Sequence, residues 1–238
     1  MQPEISLFWF RRDLRLEDNH GLFQALQSGL PVLPVFIFDT QILSELNHRR
    51  DARVEFIHQQ ISHLQKSLLS KNSTLVVKFA KPLDAFRELV SDYRIKAVFA
   101  NEDYEPYARQ RDKEIAEYLQ QQGVGFHSFK DQILFAKDDI VKDDGKPYSK
   151  FTPYCVRWKA AYAATGNRIY PSEKLTENFF KHKPISLPSL AEIGFLPTDK
   201  KFPEAGISKT KLELYAVQRD IPALDATSKL SVHLRFGT

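Results

Sequence analysis

The chain has 238 residues and a mass of 27.5 kDa, with 42% hydrophobic and 27% charged residues, an ordinary globular composition that excludes a disordered, collagenous or coiled-coil protein. Lys and Arg number 34 against 30 Asp and Glu, a net charge of +4 that permits contact with nucleic acid without requiring it. The single cysteine, Cys155, excludes an intrachain disulfide and a cysteine-rich metal site, and its apolar-aromatic neighbours predict a buried, inert thiol.

Five strands are predicted in chain order: Glu4–Phe10, Val32–Phe38, Thr74–Phe79, Ala97–Asn101 and Val124–Phe129. The first two are nearly continuous in apolar residues, as strands covered on both faces of a parallel sheet are, so they are expected at its centre. Between the strands, Asp18 or Asn19 is placed to cap a helix running to about Ser28. Val54, Ile57, Ile61, Leu64 and Leu68 recur at helical spacing. Pro82 opens a third helix, and Tyr107 to Gln122 forms a fourth that Gly123 ends. The fold class read from this alternation is α/β: a Rossmann-like five-stranded parallel sheet with helices on both faces over residues 1–130. Beyond 130 the rhythm breaks. Asp144-Gly145 and a series of prolines predict a long connector over 131–205 with a short helix from Pro153 to Ala164, and residues 206–238 read as the first helices of an α-helical domain.

The usual motifs fail. Gly123-Val124-Gly125 precedes a strand and cannot aim helix N–H groups at a pyrophosphate, and Gly145-Lys146-Pro147 is no phosphate loop. His58 and His63 stand on different faces of their helix, so they are not read as metal ligands. The longest apolar stretch, Leu30 to Phe38, is far short of the roughly 20 residues of a membrane helix. The N-terminus lacks a signal-peptide pattern, so a cytoplasmic location is expected. What stands out is the turn after the first strand. Arg11, Arg12 and Arg15 alternate there with Asp13, Glu17 and Asp18 at the carboxyl end of a central strand, where open α/β sheets build ligand crevices. An ion-pair network pinning the turn explains these charges as well as a binding role does.

Four segments carry a resemblance. They are Phe8-Trp9-Phe10-Arg11-Arg12-Asp13-Leu14-Arg15-Leu16-Glu17-Asp18-Asn19, Tyr104 to Asp112, Tyr148 to Tyr154 with Trp158, and Tyr215 to Asp220 followed by Thr227 to Gly237. Together, and in this order, they resemble the DNA photolyase and cryptochrome family. The resemblance implies the N-terminal portion of a longer flavoprotein, inactive on its own: an antenna-binding α/β domain, a connector and the start of the FAD-binding domain. It implies a parent enzyme that splits ultraviolet-induced pyrimidine dimers in DNA by electron transfer from reduced FAD, the damaged base being flipped out to reach the flavin. A monomer with no membrane partner is expected, and a catalytic residue is expected nowhere in this portion.

Carried over by position, Tyr215, Thr227, Ser228, Lys229, Leu230 and Ser231 match positions that hold FAD; a merely capped helix start is the alternative for the last five. Asp39, Arg53, Asp103 and Glu105 match positions used by relatives that bind an 8-hydroxy-5-deazaflavin or FMN antenna. Folate-binding relatives carry an Asn-Glu pair where this chain has Tyr107-Ala108, which argues against methenyltetrahydrofolate. A cryptochrome photoreceptor and, less favoured, a stand-alone nucleotide-binding α/β domain are the alternative readings.

Overall fold

The structure, a computed structural model, describes residues 3–238. Five strands, β1 (Glu4–Phe10), β2 (Val32–Asp39), β3 (Val76–Ala80), β4 (Arg94–Asn101) and β5 (Gly125–Phe129), form one sheet in the order β3-β2-β1-β4-β5. Every pairing is parallel. The strand Ile5 to Phe10 is therefore central, as its unbroken apolar run requires. β4 begins earlier than expected because Arg94 and Ile95 pair with Glu4 and Ile5 across a register irregularity. Arg94 and Lys96 both reach the Glu4 carboxylate, at 2.9 and 3.2 Å.

The alternation of side chains along β1 divides the interior in two. Phe8 and Phe10 face α1 (His20–Leu26) and α3 (Ala52–Leu69), meeting Leu22, Leu26, Ile61 and Leu68. Ile5, Leu7 and Trp9 face α4 (Pro82–Asp92) and α5 (Pro106–Gln121), meeting Phe86, Leu89, Ile115 and Leu119. Asn19 caps α1 by accepting from the Leu22 N–H at 3.1 Å, Pro82 and Pro106 open α4 and α5, and Gly123 ends α5's turn at φ +72°. A one-turn helix that the sequence did not announce, α2 (Thr40–Leu43), is capped by Asp39.

The segment read as a connector is built into the α/β body. Phe179, Ile193 and Phe195 are buried in the α1/α3 core, and the Phe180 N–H donates to the Val32 carbonyl at 2.8 Å. Its helix, α6 (Phe151–Thr165), has no buried residue. Cys155 on this helix is half-buried, a correction to the buried thiol expected: its apolar neighbours belong to a helix that packs against little among the described residues. Two further helices follow, α7 (Lys209–Gln218) and α8 (Ser231–Phe236). α7 has no buried residue, whereas α8 docks on the sheet's carboxyl edge: the Leu14 N–H donates to the Phe236 carbonyl at 2.8 Å, and Phe236 lies 5.7 Å from the Phe56 ring. No helix is long and apolar enough to cross a membrane among the described residues.

Candidate functional site

The turn leaving β1 is folded around a buried carboxylate. Asp13, 1% exposed, accepts from the Arg11 N–H at 3.3 Å, from Asn19 Nδ2 at 3.2 Å and from Asn101 Nδ2. Burial, and then the charge of Asp131, push its pKa up. Asn101, at the end of β4, also accepts from the Gly21 N–H at 2.8 Å and donates to Asn19 Oδ1 at 2.9 Å. A side chain at position 21 would bring a Cβ to 2.5 Å from Asn101 Oδ1, so glycine alone lets α1 approach β4 this closely.

Three arginines radiate from this core. Arg11 forks onto Asp112 of α5 at 2.8 and 3.0 Å and lies 4.0 Å over the Trp9 ring. Burial outweighs the pull of Asp112 and lowers the Arg11 pKa to about 10. Arg12 reaches Asp103 at 3.2 Å and Glu105 at 2.7 Å. The Arg15 guanidinium joins Asp131 and the Asp18 carbonyl, at 2.8 and 2.7 Å. The ion-pair reading of these charges thus describes the geometry. Yet Arg11 Nε and Arg12 Nη1 are buried without a hydrogen-bond partner, which an ion-pair network alone leaves unexplained.

Both arginines line a crevice of about 220 Å³ at the carboxyl ends of β1 and β2. Its apolar walls are Trp9, Phe38, Ile57 and Phe236, and its carboxylates are Asp39 and Asp103. Asp39 and Asp103 are brought together as expected. Glu105 does not line the crevice but pairs with two arginines that do, and Arg12 and then Arg235, at 3.2 Å, lower its pKa. Arg53 is not brought to the crevice: its side chain is 70% exposed and folds back on Asp51, the residue that caps α3, at 2.6 Å. Sequence reading missed Arg235 and Phe236, which α8 adds to the walls, and Arg111, whose spacing from Tyr107 on α5 was the one available signal.

Of the residues matched to FAD positions, Tyr215 stands exposed on α7 with Arg219 5.5 Å from its ring. Lys211, one turn before it, bonds the Thr227 carbonyl at 3.3 Å and Asp225 at 3.0 Å, tying α7 to the segment Thr227–Ser231. Lys229 adopts φ +55° and pairs with Asp225 at 2.7 Å. Leu230 stands at the N-cap of α8, with no side-chain cap from Thr227, Ser228 or Ser231. These residues offer a tethered, open surface; none of them lines the crevice. A larger cavity, about 680 Å³, lies between the start of the connector and α6; of the cations that line it, Arg15 and Lys130 hold Asp131 and Asp139, and Arg168 lines it as well. No group of histidine, cysteine or acidic side chains is placed to hold a metal ion among the described residues.

Residues 6–174 match the DNA photolyase family pattern. The chain is 33% identical over 97% of its length to the deoxyribodipyrimidine photo-lyase of Synechococcus sp. PCC 6301, of which it covers 51%. It superposes with a TM-score of 0.74 on a class III photolyase from Agrobacterium tumefaciens, at 25% identity over 98% of this chain and 50% of that one. A photolyase from Sulfolobus tokodaii, solved with two FAD molecules that imply a novel light-harvesting cofactor, superposes at 0.70, with 26% identity over 98% of this chain and 52% of that one. The chain spans about half the length of these relatives.

Proposed function

From the premise that the chain belongs to the DNA photolyase family, we propose that it is the antenna-binding portion of a light-driven DNA repair enzyme that splits ultraviolet-induced pyrimidine dimers with reduced FAD. The observation that carries the reading is the crevice at the carboxyl end of the sheet, lined by the carboxylates Asp39 and Asp103 and by Arg11 and Arg12, each of which has a buried guanidinium nitrogen without a protein partner. A flat ring with both N–H donors and carbonyl acceptors satisfies both sets. Asp39 and Asp103 accept from its N–H groups, Arg12 donates to a carbonyl, and Trp9, Phe38 and Phe236 exclude water from its faces. At about 220 Å³ the crevice is smaller than the roughly 300–1,000 Å³ of complete ligand sites, so it takes the ring system and leaves a ribityl chain outside.

The bound ring would supply light absorption and energy transfer; the protein holds and orients it. 8-Hydroxy-5-deazaflavin or FMN is favoured over methenyltetrahydrofolate, because Tyr107-Ala108 offers no carboxylate beside α5's first turn. In the same reading Tyr215 and Thr227–Ser231 contribute one face of an FAD site, with hydroxyls and backbone N–H groups for its phosphates.

The test is titration of the Trp158→Phe variant, whose remaining tryptophan is Trp9, with each of the three chromophores. Saturable 1:1 quenching by deazaflavin or FMN is expected. Quenching by the folate alone, or by none of them, overturns the reading.

A further inference from the structure

Asp39 is held in an unusual way for a carboxylate at a binding crevice. Its Oδ1 accepts from the Gln41 N–H at 2.9 Å, the bond that caps α2, and its Oδ2 accepts from the Tyr107 hydroxyl at 2.6 Å. Neither partner is a cation. Tyr107 rises from the first turn of α5, set there by Pro106, and crosses from the β4 side of the sheet to the β2 side, over the end of β1. Burial first, and then the Asp39 bond, hold its phenol pKa well above the usual value, so its proton stays in place, with Asp39 Oδ2 its shorter acceptor and Gln41 Oε1 the longer one at 3.2 Å. Arg111 lies 5.8 Å from the Tyr107 ring and 4.7 Å from that of Trp9, with its charge directed to Asp112 at 3.0 Å.

We propose that Tyr107 is a positioning residue that fixes the Asp39 carboxylate as the acceptor at the β2 end of the crevice, so that the site selects rings presenting an imide N–H. A Lys or Arg in its place would neutralise Asp39; a phenol orients the carboxylate and leaves its charge for the ligand. With Oδ1 tied to Gln41 and Oδ2 to Tyr107, the Asp39 carboxylate cannot rotate, and its remaining lone pairs meet the ligand at one angle. Arg11, Arg12, Arg111 and Arg235 also line the crevice, and the two hydrogen bonds described for Asp39 come from none of them. A ring that donates an imide N–H to Asp39 carries carbonyls on either side of that N–H for the arginines, as the imide edge of a flavin or deazaflavin does, and the same ring methylated on its imide nitrogen is excluded. This inference rests on the chromophore reading of the crevice.

The test compares riboflavin with 3-methylriboflavin, the same ring without the imide N–H, as probes of the full 238-residue chain. Affinities come from quenching of flavin fluorescence. The wild type is expected to prefer riboflavin by about tenfold or more, the usual effect of leaving a buried acceptor unpaired. Tyr107→Phe should bring that ratio down toward one, with far-ultraviolet circular dichroism showing the variant folded under the binding conditions. Asp39→Asn should do the same, and Tyr107→Phe added to Asp39→Asn should change the ratio no further, because the tyrosine acts through the carboxylate. A ratio unchanged in Tyr107→Phe, or lowered further in the double variant, overturns the inference while the chromophore reading stands. Failure of both flavins to bind the wild type at 1:1 overturns the two together.

Discussion

Replacing Asn101 by alanine should cost the fold about 3–5 kcal/mol. Asn101 is 2% exposed, and its partners Asp13 and Asn19 are 1% and 0% exposed, so water cannot replace what the amide provides. Removing Oδ1 strands the Gly21 N–H, a buried donor whose unmade bond costs about 1–3 kcal/mol. Removing Nδ2 takes one of two amide donors from the Asp13 carboxylate, and hydrogen bonds to charged groups contribute about 1.5–3 kcal/mol each. The sum is a large fraction of the roughly 5–15 kcal/mol that holds a typical domain together. Urea unfolding followed by far-ultraviolet circular dichroism measures it. Asn101→Asp sharpens the test: it keeps the acceptor for Gly21 but sets a second carboxylate against Asp13. The native state holds the Asp13 proton more tightly than the unfolded chain does, so ionisation of Asp13 weakens the fold as pH rises from 3.8 through the native value. The Asn101→Asp penalty should therefore be larger at pH 7 than at pH 4. A loss under about 1 kcal/mol for Asn101→Ala, or an Asn101→Asp penalty equal at both pH values, would refute the claim that this buried network holds the β1–α1 turn to β4.

Gly21→Ala should destabilise the chain by about 1–3 kcal/mol in the same urea assay, because its Cβ would sit 2.5 Å from Asn101 Oδ1 and 3.2 Å from the Ala100 backbone. Asp103→Ala should weaken deazaflavin or FMN binding by about 1–3 kcal/mol in a fluorescence titration, since a ring donor at the crevice is left unpaired. Glu105, its pKa lowered by Arg12 and then Arg235, stabilises the docked α8 fully above 4.5 and loses that contribution as pH falls through its lower native value. Wild type and Glu105→Gln should accordingly differ in stability at pH 7 and converge under acid, and a constant difference down to pH 3 would refute this. Equilibrium dialysis should find FAD bound weakly or not at all by this chain, because Tyr215 and Thr227–Ser231 form an open surface and a dinucleotide needs walls.

The sheet was legible because parallel strands covered on both faces leave unbroken apolar runs: Glu4–Phe10 was located to the residue, and its central place followed from that run. The long helices were legible from Val54, Ile57, Ile61, Leu64 and Leu68 and from Pro82 at the start of α4, whereas Pro106, which opens α5, was not read as its start. α2 was not, since a single turn has no periodicity to read. At the crevice, Asp39 and Asp103 follow strand ends and could be placed from strand positions alone. Arg53 could not, because whether it turns inward or pairs with Asp51 is decided by the local helix cap. Arg235 and Phe236 reach the crevice across 130 residues or more of sequence separation, through contacts with Glu105 and Leu14's turn that no local pattern encodes. The role of the three arginines was open in sequence for a physical reason: pairing and binding use the same side chains, and only buried nitrogens left without partners separate the two.

The most direct test of the central claim is a crystal structure of this chain loaded with 8-hydroxy-5-deazaflavin. The account predicts the ring in the crevice between Asp39 and Asp103, with Arg12 Nη1 at about 2.7–3.2 Å from a ring carbonyl and Phe236 against one face. A ring found instead in the larger cavity between the connector and α6, with the crevice holding only water, would contradict it.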